Sequence, residues 1–176
     1  MILTGGASSR MGADKAEAIW LGARAVDRVA AVAAGCDAEP VITVGARDYG
    51  LAFVADDDIG GGPVGGIVAG ARALQAVGCD RALILAVDAP TIRPDDLTAL
   101  MQAPEPGAAF VGLHLPMVVT LAAIPDDVLA SWPLARFADR AGLHRLVCPD
   151  DSLARVRGAN TPEERADLLA DLQCYV

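Results

Sequence analysis

Two cations lie within a loop of small residues near the start of the chain. Residues 3–15 read Leu-Thr-Gly-Gly-Ala-Ser-Ser-Arg-Met-Gly-Ala-Asp-Lys, which places Arg10 and Lys15 among glycine, alanine and serine. Small residues let the backbone approach a ligand and point its N–H groups at it, and the cations add positive charge. The pattern predicts a phosphate-binding loop. It is not a Walker loop, because Ala13 stands where that motif requires lysine.

The second cation is unusual for this chain. Lys15 is the only lysine, since 13 of the 14 basic residues are arginine. A compact ammonium fits between phosphate oxygens where a planar guanidinium does not, so the position is predicted to require an ammonium. The alternative is a flexible surface loop in which the single lysine is a matter of chance.

Carboxylates follow two of the predicted strands. Asp56 is the first of three aspartates at 56–58, and Asp88 directly follows the apolar run 82–87. Carboxyl ends of parallel strands meet at one edge of a sheet, so both should lie near the phosphate loop. A carboxylate there is suited to bind Mg²⁺. The alternatives are a solvated turn for the three aspartates and a turn cap over 89–91 for Asp88.

Composition excludes several classes of protein. The net charge is −9 and no basic run exists, which argues against a nucleic-acid binder. No apolar stretch is long enough to span a membrane, and the first residues do not form a secretory signal. The four cysteines lie far apart without a CxxC motif, as expected of a protein in the reducing cytoplasm.

Apolar runs and amphipathic segments alternate along the chain, which predicts an α/β sheet with right-handed crossovers. Residues 125–142 are expected to form two short helices broken at Pro133. We expect residues 1–176 to form a single domain. The predicted strands are 1–4, 40–44, 51–55, 82–87, 108–113, 116–123 and 145–148, and the predicted helices are 24–34, 63–77, 94–102 and 162–173.

These motifs together resemble those of the molybdenum cofactor guanylyltransferases. The resemblance implies a Rossmann-like nucleotidyltransferase fold, with a doubly wound, mostly parallel sheet in a three-layer α/β/α arrangement. It implies that the phosphate of molybdopterin attacks the α-phosphorus of GTP and releases pyrophosphate, with Mg²⁺ as the cofactor. Further implied partners are molybdoenzymes or cofactor-delivery proteins. The matching segments are 3–15, 62–67 (Gly-Pro-Val-Gly-Gly-Ile), 87–90 (Val-Asp-Ala-Pro) and 160–164 (Asn-Thr-Pro-Glu-Glu).

The resemblance also implies roles for single residues. Arg10, Lys15 and Asp88 are the implied catalytic residues: the two cations bind phosphates, and Asp88 binds Mg²⁺ and GTP. Asn160 lies on the pterin side, and Gly158 stands where some members have asparagine. The implied nucleotide-binding residues are Leu3, Thr4, Gly5, Gly6, Lys15, Asp56 and Asp88.

Three other functions stay open at this point. One is a nucleotidyltransferase of other specificity, cytidylyl or sugar-phosphate. Another is a GTP-binding module without catalysis. The third is a dinucleotide-dependent oxidoreductase, because Gly60, Gly62 and Gly65 satisfy the pattern GxGxxG, although this pattern usually follows the first strand of its unit.

Overall fold

A computed structural model describes residues 1–5, 14–56, 62–159 and 161–173. Within these ranges the chain forms a seven-stranded sheet, a separate two-stranded hairpin and six helices. The sheet contains β1 (Ile2–Leu3), β4 (Ile42–Gly45), β5 (Ala52–Ala55), β6 (Arg81–Ala86), β7 (Gly107–Phe110), β8 (Met117–Thr120) and β9 (His144–Leu146). The hairpin pairs β2 (Ile19–Trp20) with β3 (Ala23–Arg24). The helices are α1 (Ala25–Gly35), α2 (Pro63–Ala76), α3 (Pro94–Met101), α4 (Leu134–Arg140), α5 (Asp150–Arg157) and α6 (Pro162–Gln173).

The strand order of the large sheet is β5-β4-β1-β6-β8-β7-β9. β1 lies between β4 and β6 and is parallel to both, with Leu3 opposite Val44 on one side and Ala86 on the other. β8 is antiparallel to β6 and to β7, whereas β9 is parallel to β7. The sheet is therefore mostly parallel, and the carboxyl ends of β5, β4, β1 and β6 share one edge.

Side chains of the central strand β6 alternate between two hydrophobic cores. Leu83 and Leu85 belong to the core that includes α1 and α3, and Ile84 belongs to the core that includes α2 and α4. A strand covered on both faces reads as a continuous apolar run, which explains the pattern at 82–87. The helices on both faces confirm the predicted three-layer α/β/α arrangement. In the described part of the chain, no helix is long and apolar enough to cross a membrane.

Two of the predicted elements differ from the structure. The segment 125–133 contains turns rather than a first short helix, and α4 begins directly after Pro133. Prolines at both ends and the Asp126-Asp127 pair favour turns over a helix in so short a segment. The predicted strand 116–123 ends at Thr120 and continues as a short 3₁₀ helix, Leu121–Ala123.

A buried ion pair joins α3 to α5. The Asp96 carboxylate accepts hydrogen bonds from Arg155 Nε at 3.0 Å, from Arg155 Nη2 at 2.5 Å and from the Arg93 backbone N–H at 2.9 Å. Burial alone would raise the pKa of Asp96, but hydrogen bonds from Arg155, Ser152 and Arg93 outweigh it and hold the pKa below the ordinary value of 3.8. Ionised Asp96 therefore contributes stability above that value, and the contribution is lost as the pH falls through the lowered pKa.

Asp96→Asn is expected to lower the free energy of unfolding at pH 7 by about 2–3 kcal/mol, because it leaves the Arg155 guanidinium half-buried without its carboxylate. Urea unfolding at several pH values measures the free energy of unfolding of both proteins. The difference between the variant and the unmodified protein should become smaller below pH 3.8. Asp127→Asn is the control, because its ion pair with Arg140 is exposed and is worth less than about 1 kcal/mol. Equal urea midpoints for Asp96→Asn and the unmodified protein at pH 7 would contradict the prediction.

Candidate functional site

The parallel pairing of β1 with β6 brings Lys15 and Asp88 together. The Val87 N–H donates to the Leu3 carbonyl at 3.2 Å, so the chain segments that leave the two strands start side by side. Lys15 Nζ lies 3.7 Å from Asp88 Oδ2, and the two side chains are 28% and 31% exposed. The pair is therefore in direct contact and still within reach of a ligand.

The backbone around Lys15 is fixed by its neighbour Asp14. One oxygen of the Asp14 carboxylate accepts the Ala16 N–H at 3.0 Å, and the other accepts hydrogen bonds from Arg47 at 2.8 Å and from the Tyr49 hydroxyl at 2.9 Å. Burial, with a smaller effect of the hydrogen bond to Asp14, raises the pKa of Tyr49 to about 12, so its hydroxyl stays a donor. Asp14 thus ties the segment that carries Lys15 to the connection between β4 and β5.

Asp88 is held from the opposite side by residues after α5. Its backbone carbonyl accepts the Ala159 N–H at 3.1 Å. Gly158, with φ +70, approaches so closely that a Cβ there would collide with the Asp88 carbonyl oxygen and lie 3.0 Å from the Ala89 Cα. This position therefore requires glycine, and a larger side chain there would not fit without a backbone shift.

Gly158→Ala is expected to lower the free energy of unfolding by about 3 kcal/mol, combining about 1 kcal/mol of left-handed backbone strain with about 2 kcal/mol of overpacking. Gly112 provides the matched control, because it has φ +74 and a Cβ there would meet nothing within 4 Å. Gly112→Ala should therefore lower the free energy of unfolding only by the backbone strain, about 1 kcal/mol. Urea unfolding of both variants measures the difference, and equal losses would show that the close approach to Asp88 is unimportant.

Burial raises the pKa of the Asp88 carboxyl, and the Lys15 ammonium offsets only part of this effect. The carboxylate makes its ion pair with Lys15. Among the hydrogen bonds between described residues, none runs from the N–H groups of 89–91 to this carboxylate, so the structure does not support a turn cap.

A cleft extends from the Lys15–Asp88 pair towards the first turns of α6. The hairpin β2–β3 forms one wall with Trp20, and α6 with the residue before it forms another. Residues that line the cleft include Lys15, Trp20, Asp88, Pro90, Thr161 and Arg165. The cleft, which Asp14 also lines, therefore combines two cations, two carboxylates and an aromatic ring at the carboxyl edge of the sheet.

The model of the protein family described as "MobA-like NTP transferase domain" matches residues 1–155. The chain belongs to this family. A protein of Opitutus terrae named "Probable molybdenum cofactor guanylyltransferase" is 30% identical over an alignment of 183 positions, which covers 93% of this chain and 91% of that protein. The match spans nearly the whole of both chains.

Solved structures show the same fold as this MobA-like chain. A nucleotidyl transferase from Methanothermobacter thermautotroptrophicus superposes with a TM-score of 0.74 at 12% identity, covering 99% of this chain and 97% of that one. Molybdopterin-guanine dinucleotide biosynthesis protein A from Archaeoglobus fulgidus gives 0.61 at 19% identity, with 98% and 97% covered. The predicted family and the predicted nucleotidyltransferase-like α/β fold are both confirmed.

Several of the residues predicted to bind nucleotide lie along one edge of the MobA-like sheet. Thr4 follows β1, and both its N–H and its hydroxyl donate to the Val44 carbonyl. Gly5 lies against Gly45, and the Asp56 N–H donates to the Gly45 carbonyl at 3.0 Å. Leu3 is buried within the sheet, and its carbonyl already accepts the Val87 N–H. The carboxyl ends of β1, β4 and β5 thus bring these positions together.

Other predicted positions lie outside the described residues. These are Gly6 and Arg10 in the first loop, and Asn160 before α6. Asp57 is also outside, so the choice of Asp56 as the nucleotide contact stays a prediction. Reasoning from the sequence missed Asp14, Trp20 and Arg165 around the cleft. Asp14 could have been predicted from the sequence, since an aspartate directly before the single lysine can accept a hydrogen bond from the backbone N–H two residues ahead.

The donor set at Asp88 fits a metal ion that arrives with a ligand. Within the described ranges, no three residues among His, Cys, Asp and Glu are grouped as a resident metal site would require. Mg²⁺ typically binds through one or two carboxylates and substrate phosphates while keeping several waters. The accessible carboxylate of Asp88 beside Lys15 is therefore compatible with Mg²⁺ bound together with a triphosphate.

Proposed function

We propose that this protein transfers GMP from GTP to the phosphate of molybdopterin and releases pyrophosphate. The contact between Lys15 and Asp88, the latter just after β6, carries the proposal, because a cation and a carboxylate side by side suit a triphosphate and its Mg²⁺. The similarity to a named guanylyltransferase over 93% of this chain supports guanine as the base and molybdopterin as the acceptor.

The two cations offset the negative charge of the triphosphate. GTP carries about four negative charges, and the protein has a net charge of −9, so local positive charge is needed to bind it. Lys15 is positioned by the turn that Asp14 holds, and we assign it, with Arg10, to the β- and γ-phosphates. There the ammonium would stabilise the negative charge that builds up on the leaving pyrophosphate.

Asp88 is the residue that we assign to Mg²⁺. When bound, Mg²⁺ neutralises phosphate oxygens and makes the phosphorus more open to attack. The Lys15 ammonium favours the ionised form of Asp88 against the effect of burial, so the carboxylate is kept ready for a cation. Gly158 and Ala159 hold the Asp88 backbone, which limits how far the carboxylate can move.

The acceptor needs no strong general base, because its phosphate is already an anion. One of its oxygens forms a bond to the α-phosphorus, and the bond from that phosphorus to the bridging oxygen of the β-phosphate breaks. The electron pair leaves with pyrophosphate. The protein therefore has to hold the two phosphates in line, and orientation of this kind provides much of the rate enhancement.

The remaining assignments concern the two substrates. We assign Leu3, Thr4, Gly5, Gly6 and Asp56 to the nucleotide, because the described members of this set lie along the β1–β4–β5 edge. Asn160, beside Thr161 at the start of α6, is assigned to the pterin side.

The proposal is tested by measuring pyrophosphate release with GTP and with CTP, each in the presence and absence of molybdopterin. Pyrophosphate release is expected with GTP only when molybdopterin is present. An excess of CTP should not reduce the release from GTP. Release with CTP would make the protein a cytidylyltransferase. Binding of GTP without any release, with an acceptor shown to be intact, would make it a nucleotide-binding module.

A further inference from the structure

We propose that Arg165 on α6 is a further phosphate-binding cation of the cleft that also contains Lys15 and Asp88. The inference rests on the proposed function, because that reaction brings two phosphate-bearing substrates to this cleft. Arg165 follows the motif at 160–164, but neither the motif nor the assignments above give it a role. The structure places it among the residues that line the cleft, together with Lys15, Asp88 and Thr161.

The guanidinium of Arg165 is held in one orientation by the hairpin β2–β3. Its Nη2 donates to the Ile19 carbonyl at 2.7 Å, and its carbon lies 5.1 Å from the centre of the Trp20 ring. Trp20 is only 4% exposed, so the ring is a rigid support. An arginine stacked on an aromatic ring and bonded to a carbonyl has already lost much of its freedom, so less entropy remains to be lost when a ligand binds.

Arg165 still has unused hydrogen-bonding capacity. Its Nε is buried and has no hydrogen-bond partner among the described residues. Such a donor is rare in native proteins because it has given up its hydrogen bonds to water. A phosphate oxygen that entered the cleft deeply enough to reach it would restore one. A guanidinium has five N–H donors in a planar fork that matches phosphate oxygens. The stack on Trp20 and the bond to Ile19 occupy only part of this capacity.

The charge balance of the cleft points the same way. Lys15 is paired with Asp88, so much of its charge is offset before a ligand arrives. Arg165 has no carboxylate within ion-pair distance among the described residues. It therefore contributes positive charge that an incoming phosphate can use. Either substrate could provide that phosphate, since GTP and molybdopterin both carry one.

The chain contains a close match for a control. Arg136 lies over Trp132 with 4.4 Å from its guanidinium carbon to the ring centre, and Trp132 is also 4% exposed. This second stack belongs to α4 and the core on the other face of the sheet, away from the cleft. Arg136→Met thus removes an arginine from a buried tryptophan without removing a cation from the cleft.

The test measures binding by the full-length protein, using isothermal titration with Mg²⁺–GTP, with inorganic pyrophosphate and with molybdopterin. Arg165→Met is expected to raise the Kd for Mg²⁺–GTP or for molybdopterin at least tenfold, with Arg165→Lys in between. The affected substrate identifies the phosphate that Arg165 contacts, and a weaker affinity for pyrophosphate would assign it to the leaving group. Arg136→Met should change each Kd by less than twofold.

The inference is overturned if Arg165→Met binds all three probes within twofold of the unmodified protein. Should that variant fail to fold, Arg165→Lys and Arg165→Gln are measured in its place, and wild-type Kd values for both would overturn it equally. Failure of the proposed function can be distinguished from failure of this inference, because the titrations measure binding without turnover. A protein that binds these probes through Arg165 but does not transfer GMP would retain the inference and lose the function.

Discussion

Asp88→Asn is expected to weaken Mg²⁺-dependent GTP binding and to lower turnover by about 100-fold or more, which corresponds to about 2.7 kcal/mol of lost stabilisation. Asparagine keeps the shape of the side chain but removes the charge that we assign to the metal ion. The fold should survive, because the Asp88 side chain is 31% exposed and its backbone is held independently by Ala159.

The measurement compares GTP binding by titration with and without Mg²⁺ in the unmodified protein and the variant. Asp127→Asn is the control, since it also removes a carboxylate from an ion pair with a cation, at an exposed position that does not line the cleft. If Asp88→Asn binds Mg²⁺–GTP with unchanged affinity, the carboxylate is not a metal ligand and the assignment of this site is wrong.

Lys15→Ala is expected to lower kcat at least tenfold, with a smaller rise in the KM for GTP. The reason is that the ammonium acts mainly on charge that develops on pyrophosphate as it leaves, so its contribution is greater in the transition state than in the ground state. Lys15→Arg should restore only part of the loss, because a planar fork does not replace a compact ammonium between phosphate oxygens.

Steady-state kinetics with saturating molybdopterin measure both constants for Lys15→Ala and Lys15→Arg. The stability of the Lys15→Ala variant provides the control: the ion pair with Asp88 is partly exposed, so its loss should cost less than about 1 kcal/mol. Near-normal kcat in a folded Lys15→Ala protein would remove Lys15 from the mechanism.

Much of the fold could be predicted from the sequence, because the apolar pattern of each strand depends on whether one or both of its faces are buried. The run at 82–87 is apolar throughout, and the structure places it as the central strand β6 with a core on each face. The same logic predicted that Lys15 and Asp88 would share one edge, since parallel strands gather their carboxyl ends. Their contact at 3.7 Å agrees with that geometry.

Other elements could not be found from local pattern. α5 is eight residues long and buries only Ser152 and Val156, so its apolar pattern is too short to predict a helix. The hairpin β2–β3 has two residues in each strand and is therefore shorter than any clear alternation. The reversed direction of β8 depends on its pairing with β6 and β7, and apolar runs do not indicate direction.

The fine structure of the site depends on contacts between distant parts of the chain. Gly158 fits against the Asp88 carbonyl, and Arg165 stacks on Trp20. Neither contact leaves a trace in the residue types nearby, because glycine and arginine are both common in this sequence. Their importance becomes visible only when the segments after α5 are placed against the ends of β6 and β2.

The most direct test of guanylyl transfer uses GTP labelled with ³²P at either the α- or the γ-phosphate, incubated with the protein, Mg²⁺ and molybdopterin. Label from the α-position should appear in a pterin product that also contains guanine, and label from the γ-position should appear in pyrophosphate. Transfer of γ-label to the pterin, or no transfer of α-label to an acceptor shown to be intact, would contradict the account.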